Sequence, residues 1–130
     1  MLFLGLIFTS CSNDNPSQSD SIVGKWNFSK MSFTVNGVTS PETDYDGNEL
    51  GCSKNYLEFK TDGVYNEADY SGTTCVLDLS VGTWSQKGNI ITITDGTDSF
   101  SGEIISVNSS TLKVKISDGA DSATLIFSKG

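Results

Sequence analysis

The sequence predicts an all-β fold, an antiparallel up-and-down sheet of about eight strands that closes into a small barrel. Three observations carry this. From Gly24 onward apolar and polar residues alternate with period two, the repeat of a strand with one buried face. β-Branched and aromatic residues dominate those runs, and no window has helical periodicity. Turn-forming clusters recur about every 8 to 14 residues, too closely for helical crossovers.

The first strand opens at Gly24-Lys25-Trp26, with Trp26 and Phe28 on one face. Met31, Phe33 and Val35 resume the pattern after a one-residue slip near Ser29 and Lys30, which predicts a bulge. Leu57 and Phe59 mark the next strand, and Thr61-Asp62-Gly63 turns it into a hairpin. Val64, Asn66 and Ala68 then alternate with Tyr65, Glu67 and Asp69. Cys75, Leu77, Leu79 and Val81 form a further alternating set, with Trp84 beyond Gly82. After Gln86-Lys87-Gly88-Asn89 come Ile91 and Ile93; after Asp95-Gly96-Thr97-Asp98 come Phe100, Gly102 and Ile104. A second slip precedes Ile105 and Val107. Leu112, Val114 and Ile116 form the next run, and Ala123, Leu125 and Phe127 the one after. The expected interior therefore includes Trp26, Phe28, Leu57, Phe59, Leu77, Trp84, Phe100 and Ile116.

A chain of 130 residues makes one small domain. Its net charge is −8, all eight basic residues are lysines, and arginine and histidine are absent. Nucleic-acid binding, which needs a basic face, is not expected. Neither is a zinc site, since two cysteines without histidine do not supply the usual ligands. No cofactor is expected.

Residues 2–8 are an uncharged apolar run, too short to span a bilayer as a helix. Thr9, Ser10 and Cys11 follow, then a polar string. This layout resembles a bacterial lipoprotein signal with a lipobox cysteine. The resemblance implies that residues 1–11 are a leader, that Cys11 is acylated, and that residues 12–21 form a flexible tether to a domain at residues 22–130. No lysine or arginine precedes the apolar run, which points to a start further upstream. Acylation would hold the protein to a membrane almost permanently. Ser12, rather than Asp, after the cysteine resembles the outer-membrane sorting pattern, so the expected location is the cell envelope, at the outer membrane. In that oxidising setting Cys52 and Cys75 are expected to bridge.

Gly24-Lys25-Trp26 also resembles the opening motif of lipocalins, in which the tryptophan plugs the closed end of the barrel. Together with "YLEFKTDGVY" and "GTWSQKGNIITI", it is similar to the small lipocalin-like lipoproteins of Gram-negative bacteria. Lipocalins often pack an arginine on that tryptophan; this chain has none. The resemblance implies a non-catalytic, monomeric binding module. Its barrel mouth would take a small apolar ligand against Trp26, Phe28, Phe59, Trp84 and Phe100. A barrel this small can equally be filled by its own side chains, leaving the outer face or loops to meet a protein or glycan.

Residues 42–49 are the most acidic stretch. Asp44, Asp46 and Asn48 have the alternate spacing of calcium ligands, but Gly47 is two positions early and Asn55 stands where the closing Glu belongs. A solvated loop over one barrel mouth is the expectation. Glu58, Glu67 and Glu103 are the carboxylates available for glycoside hydrolysis, and their expected setting is solvent. Tyr45, Tyr56, Tyr65 and Tyr70 are expected on a half-wet sheet face. Without histidine no nucleophile–base pair is apparent, and an enzyme is not expected.

Overall fold

The structure, a computed structural model, describes residues 21–130. Ten strands form one antiparallel sheet: β1 (Gly24–Val35), β2 (Val38–Thr39), β3 (Thr43–Asp44), β4 (Tyr56–Phe59), β5 (Val64–Ser71), β6 (Val76–Lys87), β7 (Ile90–Asp95), β8 (Asp98–Val107), β9 (Thr111–Asp118) and β10 (Asp121–Lys129). Eight of them, β1 and β4 to β10, run in sequence order around a barrel that closes where β10 pairs with β1. The two-residue strands β2 and β3 were not foreseen. They cover the free edge of β1 beyond its pairing with β4.

Both slips are bulges. On β1, Phe28 pairs with Phe127 and Lys30 with Ile126, leaving Ser29 as the extra residue. On β8, Ile104 pairs with Val114 and Ser106 with Lys113, leaving Ile105 extra. The extra residue points away from the core, so Ile105 is exposed and Val107 is buried.

One end of the barrel is shut by Trp26, which is 1% exposed and joined by Ile22, Leu112 and Val107. The indole Nε1–H donates to the Ile22 carbonyl at 2.7 Å, satisfying a buried polar group. In place of the arginine of the resemblance, Lys129 lays its ammonium over the Trp26 ring, 4.5 Å from the centroid, and donates to the Val23 carbonyl at 3.2 Å. Gly24 makes room for it. Its φ is +130°, and a Cβ there would collide with Lys129 Nζ.

Leu77 corrects the expected interior: it is 46% exposed. The β5–β6 and β6–β7 ladders run without a register break, so Leu77, Leu79 and Val81 share one face and Trp84 takes the other. Trp84 packs edge-on against buried Phe59, which turns the three aliphatic residues outward. Ile116 is also partly exposed, but for a different reason given below.

At the opposite end, Cys52 of the long β3–β4 connection is bonded to Cys75 of the β5–β6 turn, with Cα atoms 5.5 Å apart. The loop so closed contributes about 3 kcal/mol by restricting the unfolded chain. Replacing the plug should cost about as much or more. Trp26→Ala is expected to lower unfolding stability by about 3 to 5 kcal/mol, read from urea denaturation followed by circular dichroism.

Candidate ligand-binding cavity

A cavity of about 270 Å³ occupies the barrel on the open side of its core. Its aromatic wall comprises Phe28, Tyr45, Phe59, Tyr65, Phe100 and Phe127, and its aliphatic wall Leu57, Ile91, Ile93, Val114, Ile116 and Leu125. Phe100 and Ile116 line the cavity and yet are 45% and 36% exposed, because they stand at its mouth. Gly102 leaves part of the space open. It pairs with Ile91, and a Cβ there would approach Val114 Cγ1 to 2.6 Å.

The acidic loop supplies a side chain to the site. Tyr45 stacks on Phe28, with ring centroids 4.6 Å apart and planes 26° apart. Its N–H donates to the carbonyl of bulge residue Ser29 at 3.0 Å, and its ring lies over Gly47, where a Cβ would come within 2.5 Å of it. Two asparagines pin the loop down. Asn48 donates to the Phe28 carbonyl at 2.9 Å and accepts from the Asn55 N–H. Buried Asn55 donates to the Gly47 carbonyl and to Asp69 Oδ1, and accepts from the Tyr70 N–H at 2.9 Å. Asn48 and Asn55, read from the sequence as a failed calcium pattern, thus hold backbone. Asp44 pairs with Lys30 at 3.3 Å.

Of the five wall residues expected from the sequence, Phe28, Phe59 and Phe100 line the cavity. Trp26 and Trp84 lie outside the lining. Trp26 sits below it in the plug, and Trp84 donates its indole N–H to the Lys60 carbonyl at 2.9 Å. Cys11 and the leader and tether lie outside the described residues.

The sequence reading missed Tyr45, Tyr65 and Glu67. Tyr65, expected on a half-wet face, is buried; it pairs with Phe59 across the hairpin and so shares its face. Parity counted across Gly63 would have found it. Glu67, expected in solvent, is two residues further along the same face and lines the cavity. The Tyr65 hydroxyl donates to Glu67 Oε1 at 2.7 Å. Tyr56 and Tyr70 do lie half-exposed, and Lys25 covers the Tyr56 ring at 4.1 Å. Glu58 and Glu103 accept from Asn66 and Asn89, away from the cavity.

Burial, then the Glu67 carboxylate, raises the Tyr65 phenol well above its ordinary 10.0, with Asp95 adding to it. Burial also raises Tyr45, followed by Glu67, Asp69 and Asp46. A phenol raised on folding favours the fold fully below the unfolded value, near pH 10. That contribution falls as pH climbs from there toward the folded value. Tyr65→Phe should therefore flatten the alkaline loss of stability above pH 10 by about 1.4 kcal/mol per pH unit, measured by urea titrations between pH 9 and 12.

Residues 22–114 match the family model for the lipocalin-like domain. No curated protein matches the sequence. Among solved structures, the barrel is similar to an uncharacterised protein from Bacteroides eggerthii DSM 20697. That match has a TM-score of 0.62 and 12% identity and covers 85% of this chain and 100% of the other. It is also similar to a lipocalin-like protein from Bacteroides uniformis ATCC 8492, with a TM-score of 0.60 and 17% identity, covering 84% and 98%. The family match spans most of the chain and the shared barrel agrees with it: this chain belongs to the lipocalin-like domain family.

Proposed function

We propose that this protein is a non-catalytic binding protein that takes a small apolar ligand into the mouth of its barrel. The observation that carries the reading is the cavity itself, about 270 Å³ with mainly apolar walls and an open end. Such a volume, just below the usual drug-sized range and open at one end, admits a small apolar molecule of a few rings. The lipocalin-like barrel is a binding-type fold, which supports the same reading. In this proposal the protein works at the cell envelope, acylated at Cys11 and held off the membrane by residues 12–21.

A second reading has one observation in its favour. Leu77, Leu79 and Val81 form an outward apolar row, which suits contact with a protein partner through the outer face.

Titration with N-phenyl-1-naphthylamine, whose fluorescence rises in apolar surroundings, tests the first reading. The domain should bind it saturably, and Phe100→Ser should weaken binding by about tenfold through lost apolar contact. No saturable binding would move the assignment to the outer row. For the anchor, radiolabelled palmitate should enter the full-length protein in bacteria. Cys11→Ser should abolish the label and move the protein from the membrane fraction to the soluble one.

A further inference from the structure

We propose that the cavity selects a cation, an apolar group carrying one protonated amine or quaternary ammonium. This rests on the binding reading above and names the ligand class. Glu67 places a carboxylate in a wall that is otherwise mainly apolar. Its hydrogen-bond partner is the Tyr65 hydroxyl, and neither ion pair among the described residues involves it. Glu67 is half-buried, and a cationic ligand supplies its carboxylate with a counter-charge in these partly apolar surroundings.

The walls favour the same sign. Phe28, Tyr45, Phe59 and Phe100 line the space, and aromatic rings attract cations that reach their faces. None of the eight lysines lines it, so an anionic ligand such as a fatty acid meets no counter-charge.

The topology adds a field along the barrel. The β7–β8 turn presents Asp95 and Asp98, and the β9–β10 turn Asp118 and Asp121, all at the end where Phe100 and Ile116 open to solvent. The lysines nearest the plug, Lys25, Lys60 and Lys129, lie at the other end. Lys54 lies at that end too, but the carboxylates outnumber it, and a low-dielectric mouth of net negative charge draws cations inward. Tyr45 and Tyr65 register that field, since Glu67, Asp69 and Asp95 all help to raise their phenols.

Three probes with one benzyl skeleton test this: benzyltrimethylammonium, its neutral isostere neopentylbenzene, and benzylsulfonate. Each competes with N-phenyl-1-naphthylamine at pH 7 and low salt. The cation should bind at least about tenfold more tightly than the neutral isostere, and benzylsulfonate should not compete. In Glu67→Gln, which keeps an acceptor for Tyr65, the cation-to-neutral ratio should fall below about threefold. Equal binding of cation and isostere to the wild type overturns this inference alone and leaves the apolar cavity standing. A preference that survives Glu67→Gln overturns the role given to Glu67. Failure of the dye and all three probes to bind overturns the cavity reading and this one with it.

Discussion

The extra residue in β1 is the constraint on which the barrel and its site both depend. β1 must pair with β10 along one edge, and with β4 and then β3 and β2 along the other. A strand of twelve residues with strict alternation could not serve all of these partners while keeping Phe28 and Met31 opposite Phe127 and Leu125. Ser29 resets the parity. Its freed carbonyl receives the Tyr45 N–H, so the irregularity that closes the sheet also fixes the side chain that covers its mouth.

The two ends of the barrel are built differently. The plugged end is a packed hydrophobic cluster with its one indole donor satisfied, and Lys129 spreads over the outer ring face. The other end is held by polar bonds and a disulfide, through Asn48, Asn55 and Cys52–Cys75. Polar fastening suits that end because the side chains there do not fill it. Gly102 contributes no volume, and Phe100 and Ile116 stand half in water.

Much of this was legible in the sequence, for physical reasons. Alternation reports which side chains share a face, so the eight barrel strands and both bulges could be read from where it breaks, at Ser29 and between Ile104 and Ile105. Alternation does not say which face is inside when both carry apolar residues. β6 holds Leu77, Leu79 and Val81 in one parity and Trp84 in the other, and only the packing of Trp84 on Phe59 decides between them. The contacts left unread are non-local or depend on which face of a strand is inside. Tyr45 reaches Phe28 by a loop folding back, Lys129 reaches Trp26 from the far end of the domain, and half-buried Glu67 follows Tyr65 onto the cavity face.

The β1–β10 pairing has a consequence for how the molecule is made. Trp26 lies opposite Lys129, so the partner of the first barrel strand follows it by roughly a hundred residues. Until that partner folds into place, β1 and every intermediate sheet keep a raw edge able to recruit strands from neighbouring chains. Partly folded molecules are therefore prone to clump until β10 docks, and that last ladder of hydrogen bonds is what makes each one self-contained.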